Sequence, residues 1–513
     1  MLFFLATLPL SAQNYAAFDV QHYDLHLKLS DESDNIEGLA AIKVLRKGGA
    51  SEFILNLNGL TAKKVSLNEQ AIEFTQKDSL IHIPISDKAS EAFVVEIEYA
   101  GVPKDGLIIK ENKHGRRTFF ADNWPNRAQY WFPSVDHPSD KATVNFTVTA
   151  PQKYQVIANG SLDDVTENSD GTKTSTFSES RLMPTYCMVI GAAEFEIVEG
   201  PSAGSIPVSY WFYSEDREDA LLEFKRTNEM INYYADRFGA FPFEKLAMVQ
   251  SSTRFGGMEN AGAIFFSERS VGSERRMETT VAHEVAHQWF GDDVTETEWN
   301  HLWLSEGFAT YFGMQFFEFA DGEEAFQNLM RRNRERYFSQ EKWHKRAIVE
   351  ENVTNLYELL NANNYSKGGW VLHMLRDVIG EENFWKSLRA YYQKFNGKNA
   401  LTQDLLAVFE EISHQNLGWF FKQWVLEPGI PKVAARWQWD EKNSALKIDF
   451  EQQQEPVMRF PLDVGIAGEN GVKKRVWLEK KSQQVVIPVV VEPSGVVLDP
   501  GVKLLAKFEI QDH

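Results

Sequence analysis

Cysteine is nearly missing from this chain: Cys187 is the single one among 513 residues. No intrachain disulfide can form, and one thiol cannot build a thiolate cage for a metal. Its setting, Tyr186-Cys187-Met188-Val189-Ile190, reads as a small buried strand residue. Long apolar runs are missing too. No segment reaches the roughly twenty apolar residues of a membrane-spanning helix, so no membrane anchor is expected. Positive charge is scarce, with 53 Lys and Arg against 73 Asp and Glu and a formal net charge of -20. That surface repels phosphate backbones, which argues against a nucleic-acid partner. Internal repeats and low-complexity segments are absent.

What is present fits a soluble globular protein: 43% hydrophobic and 25% charged residues. Fourteen Trp, sixteen Tyr and thirty-six Phe supply large cores and aromatic clefts. The length exceeds one ordinary core, so several domains are expected. At the start, Leu2 to Leu10 is a short apolar stretch, and Ser11-Ala12 before Gln13 resembles a small-residue cleavage site. No Lys or Arg precedes it, as a secretory signal normally requires. Residues 1–12 are read as a possible signal segment, and export to the periplasm or medium is expected over a cytoplasmic location.

Residues 13–200 read as a β domain. Runs such as Tyr23-Asp24-Leu25-His26-Leu27-Lys28-Leu29 and Thr143-Val144-Asn145-Phe146-Thr147-Val148 alternate with period two. Asn58-Gly59, Asn159-Gly160 and Asp170-Gly171 read as hairpin dipeptides. The loop Glu199-Gly200-Pro201-Ser202-Ala203-Gly204 marks a boundary. From 201 to 430 the pattern is mainly helical, with helices expected near 217–238, 305–320, 368–379, 382–395 and 403–414. Between Arg276 and Phe290, Met277, Val281, Val285 and Trp289 form one apolar stripe, with Ser273 to cap the helix and Gly291 to end it. After Pro428-Gly429-Ile430-Pro431, runs such as Ala445–Phe450 and Val485–Val491 return to strand, and 431–513 is expected to be a small β-sandwich. The fold class is therefore multidomain α+β.

The chemistry centres on His283-Glu284-Val285-Ala286-His287, an H-E-x-x-H on the expected helix. Residues four apart share a helix face, so both imidazoles reach one metal ion, and Glu284 sits beside them to take a proton from water. A catalytic zinc normally has three protein ligands and a water. The third candidate is Glu306, eighteen residues beyond His287. H-E-x-x-H arises by chance in about 2% of shuffled chains of this composition, and with that later Glu in about 0.2%. A merely decorative role fits poorly, because Val281, Ala282, Val285, Ala286 and Trp289 surround the motif and an unpaired buried Glu is costly.

The chain here resembles the gluzincin aminopeptidases related to aminopeptidase N. His283, Glu284, His287 and Glu306 match that family's H-E-x-x-H with a later Glu. Gly256-Gly257-Met258-Glu259-Asn260 matches its G-x-M-E-N loop, and Tyr365-Ser366-Lys367-Gly368 its Y-x-K-G context. Trp131 to Pro138 is similar to its F-P-C-x-D-x-P segment. The resemblance implies a thermolysin-like catalytic domain, one Zn2+ per chain on His283, His287 and Glu306, and peptide substrates with a free N-terminus. It makes Glu284 the general base and Tyr365 the oxyanion donor. Alone, Tyr365 reads equally as an ordinary loop tyrosine, and Glu259 as a solvated carboxylate. Within the resemblance, Glu259 binds the substrate's α-ammonium, and the backbone of Gly256, Gly257, Met258 and Asn260 lies against the peptide.

Two departures stand out. The family places a Gln or Glu in its first domain as a second amine partner, and this chain offers Asp122. Relatives also continue into a large helical domain beyond the sandwich, whereas this sequence stops at His513. A more open cleft and looser limits on peptide length are expected. Other readings are a thermolysin-type endopeptidase, against which Glu259 counts, and a non-catalytic scaffold, against which the complete ligand set counts. An epoxide hydrolase is disfavoured because Tyr357 stands eight residues before Tyr365, where those relatives carry Asp. His301, His344, His373 and His414 are read as structural or surface residues.

Overall fold

Period-two alternation becomes strand pairing wherever one face is buried. In the computed structural model, which describes residues 17–86, 90–272, 277–468 and 472–511, Phe18–Lys28 runs parallel to Lys141–Pro151, with Leu25 opposite Phe146 and Leu27 opposite Val148. All four side chains are buried. These strands lie centrally in an eight-stranded sheet of order Ser161–Glu167, Thr172–Pro184, Lys141–Pro151, Phe18–Lys28, Ile36–Arg46, Ala92–Gly101, Thr61–Leu67, Gln70–Ala71. A four-stranded and a three-stranded sheet complete the β-rich region. The possible signal segment 1–12 and the Ser273 cap lie outside the described residues.

Of the three hairpin dipeptides, only Asp170-Gly171 closes a hairpin, between the paired strands Ser161–Glu167 and Thr172–Pro184. Asn58-Gly59 and Asn159-Gly160 instead carry the chain from one sheet to another. Gly160 is held at φ 74°, and a Cβ there would lie 2.0 Å from the Ser178 carbonyl oxygen, so the turn needs glycine although it joins no hairpin.

Packing divides the chain into two units. One runs to Glu298 and takes in Tyr392–Ala400; the other holds Trp299–Tyr391 and everything from Leu401. Besides the β-rich region, the first unit contains a five-stranded sheet of order Glu196–Glu199, Val208–Phe212, Leu246–Ser251, Ala263–Ser267, Gly257–Met258. Leu246–Ser251 and Ala263–Ser267 are buried along their whole length, so they present no alternation to read. The segment 200–207 turns between the first two of these strands, which pair antiparallel. Helices α1 (Thr227–Phe238) and α2 (Glu278–His287) follow the expected pattern, the first joined by its shorter neighbour Arg217–Glu223. Met277, Val281, Val285 and Trp289 are all buried, although α2 itself ends at His287.

The second unit begins with α3 (Trp303–Asp321) and α4 (Glu323–Phe338). No helix was expected over α4, because only Phe326, Met330 and Tyr337 of its sixteen residues are buried and the others are mostly charged or polar. Helix α5 (Gly368–Ile379) follows a π-helical turn, Asn363–Lys367. The helices Glu381–Phe395 and Thr402–Ser413 are also present. The C-terminal strands form a four-stranded and a three-stranded sheet, with Leu446, Ile448 and Phe450 of one and Leu462, Val464 and Ile466 of the other buried in alternation. An N-terminal β-rich region, a mainly helical middle and C-terminal strands are thus the observed architecture. Among the described residues, no helix is long and apolar enough to cross a membrane.

Candidate metal and substrate site

Helix periodicity puts His283 and His287 one turn apart on α2, with their Nε2 atoms 3.1 Å from each other. His287 Nδ1 lies 3.1 Å from the Phe290 carbonyl oxygen. Donation to that carbonyl fixes the proton on Nδ1 and leaves Nε2 with a lone pair. Two nitrogens this close need a proton or a cation between them. A tetrahedral zinc with bonds near 2.05 Å holds two nitrogens ~3.3 Å apart, so the pair fits that ion. Glu284, from the same helix, is buried, as is Glu259. Carboxylate oxygens of Glu259 and Glu284 and a ring nitrogen of His287 all lie within 4.8 Å of one another. Imidazole nitrogen and carboxylate oxygen are the donor set zinc takes.

The Glu259 loop reaches this helix closely. Gly257–Met258 forms the edge of the five-stranded sheet, paired only on one side with Ala263–Ser267. An edge strand offers unpaired N–H and C=O groups to an extended peptide. Met258 and Asn260 are buried, while Gly256 has open space where a Cβ would stand. Gln288, the residue after His287, donates from Nε2 to the Glu259 carbonyl and accepts at Oε1 from Gly262 N.

Asp122 is fully buried on the approach to the same loop. Its Oδ1 lies 2.9 Å from an Arg127 guanidinium nitrogen, and its Oδ2 accepts from Arg254 N at 3.3 Å. Burial raises its pKa, and the two arginines oppose that rise. Asp105 bridges the arginines, accepting from Arg127 at 3.0 Å and from Arg254 at 2.7 Å.

In the second unit, Glu306 occupies the first turn of α3 and is buried. Tyr365, half-buried in the π-helical turn, donates its hydroxyl to Glu306 Oε1 at 2.6 Å. This contact follows from an approach of α3 to the turn: a Cβ on Gly307 would lie 3.0 Å from Gly368 Cα. Lys367 is fully buried beside them, and burial pulls its pKa down to about 7. Of the candidate residues, His283, His287, Glu284 and Glu259 belong to the first unit, and Glu306 and Tyr365 to the second.

Several contributors escaped the sequence reading. Gln288 and Asp292 form a buried polar layer under the site, with Gln288 Nε2 donating to Asp292 Oδ2 at 2.8 Å and the Cys187 thiol facing Asp292 Oδ1 at 3.3 Å. Burial, then the negative charge of Glu259, drives the Asp292 pKa well above its usual value. Lys141 donates to the carbonyls of Asp292 and Asp293. For Gln288 and Asp292 the only signal was adjacency to the motif; Lys141 and Cys187 had none. The four histidines read as structural or surface residues have local surroundings: His301 meets Thr402 Oγ1 at 2.8 Å, and His344 and His373 meet backbone carbonyls at 2.9 and 3.0 Å. His414 ends the helix Thr402–Ser413 in a left-handed conformation.

Comparison with known proteins shows the family and the fold. The peptidase M1 N-terminal domain matches residues 19–187, and the peptidase family M1 domain matches 222–424. Glutamyl aminopeptidase of Homo sapiens is 26% identical over 450 residues, 80% of this chain and 46% of that protein. Probable aminopeptidase 2 of Sulfurisphaera tokodaii is 27% identical over 461 residues, 85% of this chain and 57% of that one. The chain thus spans about half the length of such relatives. The crystal structure of Legionella pneumophila aminopeptidase A in complex with aspartic acid shares the fold, with a TM-score of 0.85 at 17% identity, over 96% of this chain and 60% of that one.

Proposed function

This chain belongs to peptidase family M1, and we propose that it is a zinc aminopeptidase that removes the first residue of peptides with a free N-terminus. The observation that carries the reading is the His283–His287 pair, 3.1 Å apart at Nε2, with the carboxylates of Glu284 and Glu259 gathered beside His287. His283, His287 and Glu306 are the proposed ligands, the last supported by its spacing from the motif. Zinc, when bound, polarises the scissile carbonyl and makes water acidic enough to attack near neutral pH.

The chain's own groups do the rest. Glu284 takes the proton of the attacking water and passes it to the leaving amine. Tyr365 donates its hydroxyl to the carbonyl oxygen as negative charge develops there. Glu259 pairs with the α-ammonium, so that the first peptide bond is the one presented. Gly256, Gly257, Met258 and Asn260 carry the edge that the peptide joins as an added strand. Asp122, held by Arg127, contributes to substrate binding by fixing Arg254 at the start of that loop. We further assign 13–200 to an N-terminal β domain, 201–430 to the catalytic domain and 431–513 to a closing sandwich. Export is proposed on the apolar stretch Leu2 to Leu10 and Ser11-Ala12.

Fluorogenic single-residue amides, each with a free or an acetylated amine, test the reading. Cleavage of the free forms only, abolished by a chelator and restored by Zn2+, is expected. Continued cutting of N-blocked peptides would make the protein an endopeptidase, and indifference to chelation would remove the metal.

A further inference from the structure

Gln288 is fully buried, and its side-chain amide makes three hydrogen bonds at the boundary between α2 and the Glu259 loop. Nε2 donates to the Glu259 carbonyl at 2.7 Å and to Asp292 Oδ2 at 2.8 Å, while Oε1 accepts from Gly262 N at 2.8 Å. Only this orientation of the amide satisfies all three partners, because a flip would set its oxygen against two acceptors and its nitrogen against a donor. Asp292 locks the orientation and is itself anchored, with its backbone N–H bonded to the His287 carbonyl at 3.1 Å.

We infer that Gln288 is a positioning residue that fixes the separation between the amine-binding carboxylate of Glu259 and the proton-transferring carboxylate of Glu284. The inference rests on the aminopeptidase reading above and deepens it. Gln288 follows directly on the end of α2, which carries His283, Glu284 and His287. Its amide grips the loop on both sides of Asn260 and Ala261, before the chain enters the strand Ala263–Ser267. Within the loop, Ala263 N bonds the Asn260 carbonyl at 2.9 Å. From outside, Asn159 Nδ2 holds the Ala261 carbonyl at 2.7 Å and Ala247 N the Gly262 carbonyl at 3.0 Å, so the Glu259 carbonyl and Gly262 N are the groups that depend on Gln288. Releasing Gln288 leaves a buried carbonyl and a buried N–H without that partner, and the loop must shift to recover one. Such a shift moves the ammonium anchor relative to the base while the helix bonds that hold His283 and His287 persist. Binding and selection of a free amine then suffer more than the chemical step.

The test uses the full chain, with alanine 7-amido-4-methylcoumarin and its N-acetyl form as probes. Gln288→Leu removes all three bonds at similar volume. Gln288→Glu keeps an acceptor for Gly262 N and loses the donor to Glu259. In both variants, KM for the free-amine probe should rise about tenfold, the equivalent of one lost buried hydrogen bond. The preference in kcat/KM for the free over the acetylated probe should fall by a similar factor. A purely structural role lowers the amount of active enzyme and hence apparent kcat, but leaves KM and the preference where they were. Wild-type KM and preference in a folded variant overturn the inference. Should Gln288→Leu fail to fold, Gln288→Glu and the milder Asp292→Asn are read in the same way. Failure of all three to fold, beside a folded Glu259→Gln, assigns Gln288 to structure alone and also overturns it. Wild-type protein inactive on every free-amine probe overturns the aminopeptidase reading instead, which separates the two failures.

Discussion

Gly257 and Glu284 are packed so closely that a Cβ on the glycine would fall 2.3 Å from Glu284 Oε1 and 2.6 Å from its Cδ. The edge strand and the helix α2 approach each other to this distance only because the strand has no side chain there. The glycine thereby confines the carboxylate that the proposed mechanism uses for proton transfer.

Gly257→Ala follows from that contact. The atoms it would strike are side-chain atoms of Glu284 and not backbone, so the protein should fold with little change in melting temperature. The displaced Glu284 should cost about 10²-fold or more in kcat, the scale of a misplaced general base. Kinetics beside a thermal melt decide it: near-normal kcat in the variant means that Glu284 is not held by this glycine.

Tyr365→Phe removes one hydroxyl, donated here to Glu306 Oε1 at 2.6 Å. If that hydroxyl turns to the developing oxyanion, kcat should fall about 10²–10³-fold with KM nearly unchanged. Zinc content, measured by metal analysis, should stay at the wild-type value. A large loss of zinc with recovery of activity at high metal concentration would instead make Tyr365 a support for Glu306 only.

How much of this was legible depends on how local each signal is. His283 and His287 lie four apart, and helix geometry alone brings their nitrogens together. Glu259 and Tyr365 needed a family resemblance, because no local rule links them to that helix. The same limit hid Gln288, whose partners Glu259 and Gly262 lie 29 and 26 residues away, and the pairing of Asp122 with the Arg254 backbone, 132 residues distant. In the fold, alternating strands were readable because one face meets solvent. Leu246–Ser251 was not, since burial on both faces erases the alternation. Helix α4 escaped for the opposite reason: its buried stripe is three residues among sixteen.

Asp140 supplies a pH dependence of stability. Its carboxyl is buried, with Oδ2 accepting from Val20 N at 3.3 Å, and burial pushes its pKa up from 3.8 to about 8. A raised native pKa means that the folded state holds this proton while the unfolded state has released it. The stability tied to the proton is full below about pH 4 and is lost as pH rises toward 8. Asp140→Asn keeps the shape and carries no titrating proton. Its stability relative to wild type should therefore increase between pH 5 and pH 8, by on the order of 1–3 kcal/mol. Urea unfolding at the two pH values measures the difference, and a difference that does not change between them rejects the assignment.

Gly307 and Gly368 set the geometry that brings Tyr365 to Glu306. A Cβ on Gly307 would lie 3.0 Å from Gly368 Cα and carbonyl carbon and 3.2 Å from the Asn364 carbonyl oxygen. These are backbone atoms, so no rotamer change relieves the contact, and α3 must move away from the turn that carries Tyr365. An alanine inside an exposed helix would instead stabilise by about 1 kcal/mol over glycine. Here overpacking of about 1–3 kcal/mol opposes that gain, so Gly307→Ala should be neutral to destabilising rather than stabilising. The shift should stretch the Tyr365–Glu306 bond, since Glu306 is the adjacent residue on α3, and kcat should fall about tenfold or more. A more stable variant with wild-type kcat would show that the two segments have room to spare. Reduced kcat with an unchanged or lower melting temperature is the outcome expected if the glycine pair holds the tyrosine in reach of the carboxylate.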